Sequence, residues 1–218
     1  IGLAQGGRIT SNPQANYGVV ATLGPSYPEW LGDRGFNEAH GVRFPYVAGA
    51  MANGIATSEL VIAMARSGML AFFGAAGLGY DKVVAGIDRI VEGLADLPHA
   101  SWGANLIHSP NEPLLEDRVA QLFIERGVKR VSASAYMKLT PSIVWYAYKG
   151  VHTSPSGQIL RDRHVFAKIS RKETARHFMN PAPEAMLRDL VDRSGARFER
   201  ALLGQPEPFV EVEEHLSD

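Results

Sequence analysis

What most constrains this chain is a unit that recurs from Tyr46 onward: a short apolar strand, a break of small or polar residues, then a helix of three to four turns. YVAGA leads to TSELVIAMARSG, where Thr57 or Ser58 caps the start and Gly68 closes the end. MLAFFG leads through AAGLG to YDKVVAGIDRIVEGLAD, whose Val83, Val84, Ile87, Ile90, Val91 and Leu94 follow helical spacing. SWGANLI leads through HSPNEP to LLEDRVAQLFIERG, with Pro113 near the helix start and Gly127 after its end. VKRVSASA leads through YMKL to TPSIVWYAYKG, with Thr140 as cap, and HVFAKIS follows the turn SPSGQ and leads to RKETARHFM. Strands alternating with helices at this spacing predict βαβ units and a parallel sheet. Strands rich in Ala, Val and Ser suit burial on both faces.

The flanks differ. Residues 1–44 are rich in Gly, Pro and Asn, with one strand candidate, YGVVATL, and read as a leader wrapping the outside of the α/β unit at 45–180. Residues 181–218 read as a helix, PEAMLRDLVDRSG, a shorter one around ARFERALLG, and a poorly ordered acidic tail. Because Ile1 is not an initiator methionine, the sequence is expected to be a piece of a longer protein.

A formal net charge of −1 gives no composition-level case for nucleic acid or an anionic membrane. The longest charge-poor segment, 45–80, is interrupted by Glu59 and Arg66, so no membrane span is expected there. Absence of cysteine excludes disulfides, thiolate metal sites and cysteine nucleophiles, and fits a reducing cytoplasm. The seven histidines show no paired zinc spacing, so no metal site is expected.

In parallel α/β folds ligands bind at the carboxyl ends of the strands, which selects residues 49–54, 74–79, 105–111, 132–136 and 168–170. Glycine and alanine there let a planar or phosphorylated ligand approach backbone amides. The plainer reading of any single break is turn chemistry. GAAGLG does not match the dinucleotide fingerprint, Met51 can be core packing, and Asn105 and His108 can satisfy loop backbone. All five breaks facing one rim is what favours a ligand.

The strings VRFPYVAGAMANGIATSELVIAMARSGMLAFFGAAG, ANLIHSPNEPLLED, GVKRVSASAYMKLTPSIVWYAYKGVH and HVFAKISRKETARHFMNPAPE resemble the PfaD-type enoyl reductases of polyunsaturated-fatty-acid and trans-acyltransferase polyketide synthases. That family is similar to the wider nitronate monooxygenase-like superfamily of FMN-binding TIM barrels. The resemblance runs from about Tyr17 to about Leu190. It implies a TIM-barrel type fold with about five of its eight (β/α) units present. It implies FMN as cofactor, NAD(P)H as hydride donor, an enoyl thioester on an acyl carrier protein as substrate, and synthase components as partners; a homodimer is a candidate assembly, with the oligomeric state left open by the sequence.

The resemblance places Gly49, Ala50, Met51, Ala52 and Asn53 along the flavin ring, with Gly74, Ala75, Ala76 and Gly77 near it. It also places Asn105 as a hydrogen-bond partner of the ring, and Ser134 and Lys168 as the polar residue and lysine of the later strand exits. The Gly-Gly-His-like motif whose histidine is the proposed acid in that family has no counterpart here. The catalytic acid is therefore unassigned, with His108 as the one candidate. Two other readings stay open: a nitronate monooxygenase-like oxidase, and a non-catalytic half-barrel module of a synthase.

Overall fold

The computed structural model describes Gly6 and residues 8–194. Its frame is five parallel strands: β1 (Val47–Ala48), β2 (Leu70–Phe73), β3 (Gly103–Ile107), β4 (Arg130–Ser134) and, after a hairpin of β5 (Val151–Thr153) and β6 (Ile159–Arg161), β7 (His164–Ala167). The sheet order is β1-β2-β3-β4-β7, so its strands lie side by side in chain order. That sequential winding is the arrangement of a (β/α) barrel, and the five strands make a half-barrel.

Helices α2 (Ser58–Arg66), α3 (Tyr80–Gly93), α4 (Pro113–Glu125) and α5 (Pro141–Tyr148) fill the successive connections. Thr57 Oγ1 accepts from Leu60 N–H at 3.1 Å and caps α2, whereas Ser58 Oγ donates to the Gly86 carbonyl. Gly68, at φ +75°, supplies the left-handed residue that ends α2. Val83, Ile87 and Ile90 recur along α3 on one face and are buried. They join Ala71, Phe73, Ala104, Leu106, Val131, Ala133 and Val165 in one core between helices and sheet.

Strand alternation then turns the other set of side chains toward the concave face. Leu70, Phe72 and Phe166 form a second apolar cluster there. Phe72 and Phe166 pack at a ring-centroid distance of 5.1 Å. Their strands lie three positions apart, about 14 Å in a flat sheet, so the sheet is strongly curled. At the amino ends of the strands sits α1 (Arg34–His40). Arg130 donates through Nε to His40 Nδ1 at 3.3 Å and through Nη2 to the His40 carbonyl at 3.0 Å, and Ser101 Oγ donates to the same carbonyl. The helix is a plug in the base of the half-barrel.

Three features differ from the sequence expectation. YGVVATL is no strand: residues 8–27 are irregular and exposed, and a lone strand with no ladder partner leaves its backbone groups to water. Helix α1 has no counterpart in the sequence reading, because seven residues with Gly35 in the first turn and Gly41 at the end carry too little periodicity. The turn SPSGQ closes the β5–β6 hairpin rather than introducing the fifth parallel strand. Helices α6 (Lys172–Met179) and α7 (Glu184–Ser194) follow where the sequence predicts helices. The ARFERALLG helix and the acidic tail lie outside the described residues. No helix among the described residues is long and apolar enough to cross a membrane.

Candidate functional site

Strand register assembles a polar row on the concave face at the carboxyl ends. Asn105 pairs with Ser132, and Ile107 with Ser134, across β3 and β4. Asn105 is buried, and its Nδ2 donates to the Ser132 carbonyl at 2.8 Å and to Ser134 Oγ at 2.9 Å. A carbonyl can only accept, so the amide nitrogen is fixed on that side and Oδ1 is turned to the other. No donor among the described residues reaches Oδ1. One residue beyond β7, Lys168 crosses the mouth of the half-barrel, and its Nζ donates to the Ala50 carbonyl at the exit of β1 at 3.2 Å. Asn105, Ser134, Lys168 and Ala50 thus come together, although their strands span the whole sheet.

The small-residue breaks divide into two kinds. The exits of β1 and β2 are bonded to each other: Asn53 N–H donates to the Ala76 carbonyl at 2.7 Å, Gly54 N–H to the Gly74 carbonyl at 2.9 Å, and Gly74 N–H to the Ala56 carbonyl at 2.9 Å. A Cβ on Gly74 would collide with the Met51 carbonyl oxygen, and one on Gly77 with Asn53 Oδ1. Asn53, at φ +57°, and Gly77, at φ +78°, are both left-handed. Loop-to-loop packing therefore accounts for Gly74 and Gly77. Gly49 is different: nothing lies within 4 Å of where its Cβ would be. Met51, Ala52 and Asn53 are exposed at the rim, while Ala75 and Ala76 are buried.

His108 does not belong to the polar row. Its backbone N–H extends the ladder to the Ser134 carbonyl at 3.0 Å, and alternation carries its side chain to the helix side of the sheet. There Nδ1 meets Glu116 Oε2 at 2.9 Å, and the ring stacks on Tyr136 at 5.4 Å. Glu116, in the first turn of α4, is buried yet fully satisfied. Besides His108 it accepts from Ser109 N–H at 3.2 Å, Tyr136 OH at 3.1 Å and Thr140 Oγ1 at 2.6 Å. One carboxylate so ties together the exits of β3 and β4 and the cap of α5. Burial, reinforced by that carboxylate, pushes the Tyr136 phenol far above its usual range. Sequence reading missed Glu116, since a lone Glu in the first turn of a helix looks like ordinary dipole compensation.

Beside the row, between the exits of β2 and β3 and the first turns of α3 and α4, lies a cleft of about 430 Å³. Ala75, Ala76, Gly77 and Asn105 line it; residues 49–53, Ser134 and Lys168 do not.

No family model matches the chain. It is 37% identical over 205 residues to one of the polyunsaturated fatty acid synthase subunits of Thraustochytrium sp., covering 94% of this chain and 14% of that protein. It is 36% identical over 163 residues to polyketide biosynthesis protein PksE of Bacillus subtilis, covering 75% of this chain and 21% of that one. Among solved structures it is similar to the enoyl reductase domain of MlnA from the macrolactin biosynthesis cluster of Bacillus amyloliquefaciens. That match has a TM-score of 0.78 and 28% identity, over 84% of this chain and 42% of that chain. The chain therefore spans less than half the length of these relatives.

Proposed function

The chain belongs to the family of PfaD-type enoyl reductases, and from that premise we propose that it forms the flavin-facing half of an FMN-dependent enoyl reductase. The reaction is reduction of the 2,3-double bond of an enoyl thioester on an acyl carrier protein, with NAD(P)H as hydride source, inside a polyketide or polyunsaturated-fatty-acid synthase. The single observation that carries this reading is the concave row of Asn105, Ser134 and Lys168 at the carboxyl ends of a sequentially wound sheet.

The residues present fit an isoalloxazine ring. Asn105 Oδ1, which no donor among the described residues reaches, suits a ring N–H, and Ser134 Oγ lies on the Nδ2 side of the same amide. Lys168 brings a cation to the same mouth, where it favours electron density on a reduced ring. The open space over Gly49 and the carbonyls of the β1 exit leave room for a flat face. FMN, when bound, supplies the hydride chemistry. The protein's own residues bind and orient: Asn105 fixes one ring edge, Lys168 adjusts charge, and the Phe72–Phe166 floor excludes water from below. His108, on the helix side with Nδ1 held by Glu116, acts as a strut of the β3 exit in this reading.

Purification of the full-length protein tests the proposal. It is expected to carry FMN and to reduce crotonyl thioester rather than oxidise a nitronate. A colourless protein that takes up no FMN would sink it. Asn105→Ala is expected to weaken FMN binding about tenfold, the cost of one buried hydrogen bond. Fluorescence titration of the apoprotein with FMN measures this.

A further inference from the structure

We propose that the cleft beside the polar row receives the neutral, amide-bearing pantetheine arm of the thioester substrate, and does not receive the dinucleotide. The inference rests on the enoyl reductase reading and adds to it a subsite that Asn105 joins to the concave row.

Charge decides the occupant. Among the described residues, the ionisable side chains lining the cleft are Glu112 and Glu116, and no lysine, arginine or histidine is in the lining; His108 meets Glu116 from outside it. Two carboxylates and no cation disfavour a pyrophosphate, a carboxylate or a nucleotide phosphate. Glu116 has its oxygens occupied by His108, Ser109, Tyr136 and Thr140, whereas Glu112 is exposed and available to an N–H or O–H donor. Leu78, Val83, Leu115 and Val119 supply apolar walls. A chain that alternates methylene and methyl groups with amides and hydroxyls, and carries no charge along this length, matches both kinds of surface. Size is consistent, since about 430 Å³ falls within the usual range of small-ligand sites. Position is consistent as well: Asn105 belongs both to the cleft lining and to the concave row, and the proposal runs the acyl end of the thioester from the cleft toward that row.

Gly79 offers a way to fill the cleft without disturbing the fold. It lines the cleft, its backbone is extended at φ −64° and ψ 152°, and nothing lies within 4 Å of where its Cβ would be. Gly79→Val and, on the opposite wall, Leu115→Trp are made in the full-length protein. Binding of butyryl-pantetheine, which is saturated and cannot react, is measured by calorimetry beside binding of butyryl-N-acetylcysteamine, NADPH and FMN.

Each variant is expected to weaken butyryl-pantetheine about tenfold and to leave the truncated thioester, NADPH and FMN unchanged. Unchanged butyryl-pantetheine affinity in both variants overturns the proposal, as does a selective loss of NADPH. Because the probe is unreactive, a wild-type protein that binds it in the cleft yet reduces no crotonyl thioester would refute the enoyl reductase reading and leave the subsite standing.

Discussion

The two ends of the half-barrel are built from the same strands and treat their polar groups in opposite ways. At the amino ends, Arg130 and Ser101 turn their donors onto His40, and α1 closes the base. At the carboxyl ends, Asn105 keeps an acceptor that no donor among the described residues reaches, Lys168 spans the mouth, and Gly49 faces open space. Burying a polar group stabilises only when its partners come with it. The closed end is where this fold holds itself together, and the open end is where it has room for a ligand.

The largest expected effect tests how much of the open end is nevertheless structural. Gly74→Ala drives a Cβ into the Met51 carbonyl, so the β1 exit must move. Loss of about 4 kcal/mol is expected, seen as a large fall in urea midpoint even without FMN. If the variant kept its stability and lost only FMN, Gly74 would be a ligand contact after all.

Next comes the closed end. Arg130→Ala removes both donations to the buried His40 and is expected to cost about 3 kcal/mol, with FMN affinity of the folded fraction unchanged. Its counterpart at the open end, Lys168→Met, removes an exposed cation. It is expected to weaken FMN about tenfold while shifting the melting temperature by only a degree or two. Equal effects of the two substitutions on stability and on FMN would erase the distinction between the ends.

The sequence carried the open end better than the closed one. Repeating strand-break-helix units made the parallel sheet legible, and the family strings made Asn105, Ser134 and Lys168 legible as its row. The plug was hidden because its contacts join His40, Ser101 and Arg130 across ninety residues, with no local pattern between them. The reason for Gly74 and Gly77 was hidden for a related cause. Glycine required by a neighbouring loop and glycine required by a ligand look the same in one dimension, and only the position of the Met51 carbonyl and the Asn53 amide separates them. Glu116 escaped notice because its four partners come from two stretches on either side of α4, His108 with Ser109 and Tyr136 with Thr140.

The smallest effect is one the two ends share, and pH reads it. Two buried tyrosines flank β4 on its helix side: Tyr146 donates to the Val128 carbonyl near the amino end at 2.8 Å, and Tyr136 donates to Glu116 at the carboxyl end. Burial raises both phenols far above their usual value, and at Tyr136 the Glu116 carboxylate adds to it. In the unfolded chain each ionises near about pH 10. Above that pH the unfolded state has lost protons that the native state keeps, so stability falls as pH rises; below it the two states bind the same protons and neither tyrosine contributes. Each is expected to steepen the alkaline loss by about 1.4 kcal/mol per pH unit. Urea midpoints between about pH 9 and pH 11, at roughly half-unit steps, read that slope. Tyr136→Phe and Tyr146→Phe should each remove one share of it, and an unaltered slope in either variant would mean that its phenol ionises in the folded protein.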